Sequence, residues 1–177
     1  MEAIQQHAGH LRKENLLARS LLIQDKKNTT LWIGHFITDP IDHFAGQTFT
    51  CSRAGLLDNI QLYSLAVYSP GNVDLTLHEF DNGNKIWGPA IACCSRLIQK
   101  DDEARWIRFD TGPILLTKDE TYGFRVQTTD ALIGFGEAVT SSKYPFTFGH
   151  EWNGNSGNKK GYFLSYFSLA FKIELCE

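Results

Sequence analysis

ARWIRFDTGPILLTKDETYGFRVQT, residues Ala104–Thr128, carries the pattern from which the rest of the chain can be read. It breaks into a strand, a turn at Gly112-Pro113, a short apolar run, a polar corner and a second strand. Tyr122, Phe124 and Val126 alternate with Thr121, Gly123, Arg125 and Gln127. A period of two sets one face of a strand against a core and leaves the other toward solvent.

The same period continues on both sides. Leu31–Ile37, LWIGHFI, reads as a first strand, and Asp39–Gly46 is a turn-rich connection into GQTFTC. Gly55–Ser69 is a long strand whose inward set begins as Ile60 and Leu62 and shifts phase to Leu65 and Val67. That shift predicts a bulge or bend near Tyr63-Ser64. Ser69-Pro70-Gly71-Asn72 is a turn, and Val73, Leu75 and Leu77 then alternate with Asp74, Thr76 and His78. Asp81-Asn82-Gly83-Asn84 is the strongest hairpin signal. Residues 85–98 follow, with Trp87, Ile91, Cys93 and Leu97 on one side, and Ala131–Ala138 is another strand. Gly161–Leu175 reads as one last strand, apolar on both faces, so a helix or a neighbouring subunit is expected to cover it. About nine or ten short strands separated by turns predict an all-β fold, a two-sheet antiparallel β-sandwich of jelly-roll type.

Glu2 to Ile23 has a different period. Ile4, Ala8, Leu11, Ala18 and Leu22 fall on one face of a helix, in a segment dominated by good helix formers. The expected organisation is therefore an N-terminal α-helix and linker over residues 1–26 and a β-sandwich over residues 27–177. Ile4, Leu11 and Ala18 are seven apart, so residues 2–23 form either a homo-oligomerising seam or a helix lying on its own sandwich.

At 177 residues the chain can bury a sizeable core without metals or disulfides. A formal charge of -3 with no basic run argues against a nucleic-acid partner. No window reaches the length of a membrane span, and the N-terminus has no basic and apolar signal pattern. The expectation is a cytoplasmic protein, or one exported by a route that needs no such signal. Cys51, Cys93, Cys94 and Cys176 match no zinc or disulfide spacing and read as buried free thiols.

Gly46–Thr50, Ile60–Tyr63, Val73–Leu77, Trp106–Phe109, the spacing from Leu115 to Tyr122, and Leu169–Lys172 carry a resemblance. Over residues 44–173 the chain is similar to bacterial jelly-roll modules of surface-anchored and secreted proteins. The resemblance implies a non-catalytic domain of the carbohydrate-binding or galactose-binding kind, often found beside adhesin domains.

The chemistry is sparse. His150-Glu151 begins like H-E-x-x-H, but Gly154 stands where the second histidine belongs. His7, His10 and Glu14 share a helical face of the kind that can hold zinc, although an exposed polar face explains them as well. Asp81–Asn84 and Asp101–Glu103 offer oxygens suited to calcium, yet turns want these residues anyway, so no cofactor is expected. Gly154-Asn155-Ser156-Gly157 lacks the spacing of a nucleophile elbow. Glu79 and Glu137 are candidates for a glycosidase pair, but sequence alone does not bring them together. A non-enzyme is expected.

The most functional-looking segment is Tyr144–Lys160, YPFTFGHEWNGNSGNKK. Its flat rings could stack on a sugar, and its amides and carboxylate could bind hydroxyls. The expected ligand-binding residues are Tyr144, His150, Glu151, Trp152, Asn153 and Asn155. The expected function is recognition of a carbohydrate or protein ligand through end-of-sandwich loops. The alternative is a structural subunit of a fibre, tail or adhesin complex.

Overall fold

The computed structural model describes residues 19–176, and within them fourteen strands join one antiparallel sheet. They are β1 (Arg19–Gln24), β2 (Thr29–His35), β3 (Asp42–Thr50), β4 (Gly55–Ser69), β5 (Gly71–Asp81), β6 (Ile86–Ile98) and β7 (Arg105–Phe109). Then follow β8 (Ile114–Leu116), β9 (Thr121–Gln127), β10 (Leu132–Val139), β11 (Glu151–Asn155), β12 (Tyr162–Leu164), β13 (Phe167–Leu169) and β14 (Phe171–Leu175). The main path runs β1-β14-β4-β10-β2-β3-β9-β5-β6, and β11 continues from β3 to β12. All-β architecture is therefore correct, as are the strand, turn, short run and strand of Ala104–Thr128.

The strands hydrogen-bond into one curled sheet. Its two arms meet where β2 and β3 share only Gly34↔His43 and His35↔Asp42. Gly34 permits this corner. Its φ is 103°, and an added Cβ would lie 1.9 Å from the Ala131 carbonyl oxygen. Only glycine takes that backbone and that approach cheaply.

The core lies between the arms. Ile33, Leu62, Phe135 and Phe171 face Phe49, Leu75 and Phe124, all fully buried. Phe124 of β9 meets Phe171 of β14 edge-on at 5.7 Å across the gap. Each such side chain contributes about 1.5–3 kcal/mol of burial. Strand β4 spans both halves of its arm: one edge takes β14 and then β10, the other takes β8 and β7. The expected bulge is there, since Gly134 pairs with Ala66 and Phe135 with Ser64, leaving Leu65 over. Ser64, rather than Leu65, is the residue turned inward.

Three further expectations change. Arg19–Ile23, assigned to the end of the helix, belongs to β1 and pairs with β14; Glu2–Ala18 lies outside the described residues. Leu21, Leu22 and Ile23 find a ready strand edge there, and tertiary pairing overrides local helix preference. Residues 161–175 are not one strand. They form β12, β13 and β14, which pair with β11, β10 and β4 in turn. Apolar residues on both faces reflect this change of partners. The 81–84 hairpin is longer than an Asn-Gly turn: Asp81 pairs with Ile86, and Lys85, not Gly83, takes the positive φ.

Candidate functional site

Strand β11 runs through the middle of the Tyr144–Lys160 segment, so this stretch is sheet as well as loop. The register across β9, β3 and β11 aligns Arg125 with Gly46 and Gly46 with Trp152. Gly46 leaves a gap in that row. A Cβ there would come within 3.2 Å of the Trp152 ring and 3.5 Å of Arg125 Cγ. Arg125 and the indole lean together across this gap, the guanidinium carbon lying 4.5 Å from the Trp152 ring centroid. Trp87 from β6, edge-on to Trp152 at 5.7 Å, takes the same guanidinium at 4.3 Å. It fits because Gly123 lies beneath it, where a Cβ would sit 2.6 Å from the ring.

Trp152 is 2% exposed. Its Nε1 donates to the Lys160 carbonyl at 2.9 Å, and Gly154 and Gly161 lie against the ring, where Cβ atoms would come within 2.3 and 2.5 Å. The glycines that suggest a flexible recognition loop in the sequence instead make a slot for a buried indole. Phe163 stacks on Trp87 at 6.0 Å and extends the cluster.

Arg125 forms no hydrogen bond or ion pair with any described residue, and its Nε is sealed from solvent. Burial lowers its pKa to about 10, still far enough above neutrality to keep it charged. Beside it opens a cavity of about 220 Å³ lined by Phe44, Arg125, Val126, Gln127, Trp152 and Lys159.

The other face of β11 is polar and buried. Glu151 is fully buried; its Oε1 accepts a hydrogen bond from Asn153 Nδ2 at 3.2 Å. The carboxyl of Glu137 on β10 is buried too, and its charge acts on Glu151. Glu151 is pushed well above the ordinary carboxylate range by burial first and by the Glu137 charge second. Burial raises Glu137 as well. Two carboxyls so placed cannot both ionise cheaply. Gln47 completes this interior, accepting from the Leu169 amide and donating to the Thr48 carbonyl.

The six expected residues therefore do not form one site. Glu151 and Asn153 touch each other in the interior, while Trp152 faces Arg125. Half-buried His150 bonds through its backbone to Thr48, and burial lowers its pKa. Asn155 accepts from the Asn158 amide in a turn. Tyr144 alone is widely open, at 74% exposure. Glu79 lines a cleft of about 490 Å³ with Asp81 and Glu120, and Glu137 is not part of that cleft. The Asp81 oxygens accept from the Asn84 amide and side chain, and Asp102 accepts from the Gln99 amide. Among the described residues no three His, Cys, Asp or Glu side chains converge as a metal site; His7, His10 and Glu14 lie outside them.

An open aromatic groove lies elsewhere, at the β2–β3 corner. Two adjoining hollows of about 260 and 250 Å³ share Ile37, Tyr68 and Leu132. Trp32 and Phe36 line the first, and His35, Ser69, Thr129 and Asp130 the second. Tyr68 is 65% exposed. The connection carrying Phe36 and Ile37 is braced by Asp39, which accepts from the Ile41 amide and pairs with His43 at 2.9 Å. That imidazole contact, then the Ile41 amide, holds the Asp39 carboxyl below its usual pKa. Trp32 falls in the first strand read from the sequence, but nothing local in the sequence sets Tyr68 beside it.

No protein-family model matches the chain, and no curated protein sequence matches it. The likeness to jelly-roll modules thus rests on the strand pattern itself. No helix among the described residues is long and apolar enough to cross a membrane.

Proposed function

We propose that this domain is a non-catalytic recognition module that binds carbohydrate in the groove formed by Trp32, Phe36 and Tyr68. The observation that carries this reading is an exposed tyrosine next to a half-buried tryptophan, with His35, Ser69, Thr129 and Asp130 lining the adjoining hollow that Tyr68 shares. A pyranose has the same division, apolar C–H faces and a polar rim, so rings and hydroxyl-binding groups in adjoining hollows suit it. The groove lies among connections at one end of the curled sheet, where variation leaves the scaffold untouched. Two arms closing on a shared core support the finer reading of the fold as a jelly-roll-like sandwich.

The test is a glycan array followed by calorimetry on the best ligand. Tyr68→Ala is expected to lower affinity at least tenfold while the far-ultraviolet dichroism stays unchanged. A variant that binds as the parent does would remove the groove as the site.

A further inference from the structure

We propose that the cavity beside Arg125 binds the oxyanion group, carboxylate or sulfate, of an acidic sugar residue. This site is separate from the Tyr68 groove and does not rest on it.

The guanidinium packs into the corner where Trp87 and Trp152 meet edge-on at 5.7 Å, 4.3 and 4.5 Å from the ring centroids. Both rings and the gap at Gly46 fix its position, so little conformational freedom remains to be lost on binding. Buried or half-buried charges are normally paired. Here the π faces compensate the cation in part, and no carboxylate among the described residues pairs with it. The remaining demand is for an anion, and a guanidinium fork matches the two oxygens of a carboxylate or sulfate.

The rest of the cavity narrows the choice of ligand. Lys159 adds a second cation and Gln127 an amide, while Phe44 and the Trp152 ring supply apolar walls. At about 220 Å³ the space is below the usual range for a drug-sized molecule and suits one sugar unit. A small, charged ligand with an apolar face fits these walls.

The full chain would be titrated at low salt with galacturonate, galactose 6-sulfate and galactose, following the fluorescence of the tryptophans. At least one acidic sugar is expected to bind about tenfold or more tightly than galactose, the preference falling as salt rises. The two acidic probes decide between carboxylate and sulfate. Arg125→Gln is expected to abolish the preference, and Arg125→Lys, which keeps the charge but not the fork, to weaken it. Lys159→Ala changes an exposed residue and leaves the fold intact, so it provides an independent reading: a loss of about threefold. Tyr68→Ala is expected to leave the preference unchanged, which separates this inference from the groove. Equal affinity for acidic and neutral sugars, no saturable binding of either acid, or an unaltered preference in Lys159→Ala and folded Arg125→Gln would each overturn it.

Discussion

The molecule carries aromatic residues in two settings that its sequence makes look alike. Around β11, Trp152 and Trp87 lie in slots cut by Gly46, Gly123, Gly154 and Gly161, and Trp152 is 2% exposed. At the β2–β3 corner, Tyr68 is 65% exposed over a groove that nothing described fills. A tryptophan among asparagines and glycines resembles a binding loop, yet here Gly154 and Gly161, with Gly46 across the strand pair, make room for the ring to sink. Tyr68 carries no such flag in the sequence, but it stays open. Cross-strand register, rather than local composition, separates the two.

That contrast can be broken by substitution. The largest effect is expected at Trp152→Ala, which empties the slot and should cost about 3–5 kcal/mol in urea unfolding. Gly154→Ala comes next. Its new Cβ would lie 2.3 Å from the indole, and overpacking of this kind costs about 1–3 kcal/mol, read as a lower unfolding midpoint.

Glu151→Gln sharpens a second contrast, between the two faces of β11. One face buries a carboxyl and the other a guanidinium, and they reach neutrality differently. Glu151 can keep its proton, whereas Arg125 cannot readily give one up and needs π faces or an anion. A carboxyl whose pKa is raised by folding stabilises the fold fully below the ordinary carboxylate range. It loses that contribution as pH rises toward the folded pKa. The parent should therefore lose thermal stability between pH 5 and pH 9, and Glu151→Gln should flatten that slope and unfold at higher temperature at pH 9. Identical pH profiles would show that the Glu137–Glu151 pair is not protonated as described. The smallest effect on stability belongs to Tyr68→Ala, an exposed change expected within about 0.5 kcal/mol of the parent.

Much of the fold was legible because alternation is a local signal. The ends of β4 at Gly55 and Ser69, its phase shift, and the buried set Tyr122, Phe124 and Val126 could all be read from a few neighbouring residues. The candidate sites were less legible. Arg125, Gly46 and Trp152 are far apart in the chain and meet only through the β9–β3–β11 register. Glu137 and Glu151 were both noticed, but one was read as a glycosidase acid and the other as a sugar ligand. Their pairing depends on β10 and β11 closing on one interior. Residues 161–175 misled because an apolar run does not announce that it changes partners twice. Leu21–Ile23 misled because helix preference is weak beside an available strand edge.

The most direct test is to measure urea unfolding and glycan binding side by side for Tyr68→Ala and Trp152→Ala. Division of labour is expected: Tyr68→Ala keeps the parent's stability and loses binding, whereas Trp152→Ala loses about 3–5 kcal/mol of stability. A Trp152→Ala protein as stable as the parent, or a Tyr68→Ala protein that binds the groove's glycan undiminished, would contradict the assignment of Trp152 to holding the fold and of Tyr68 to recognition in the groove.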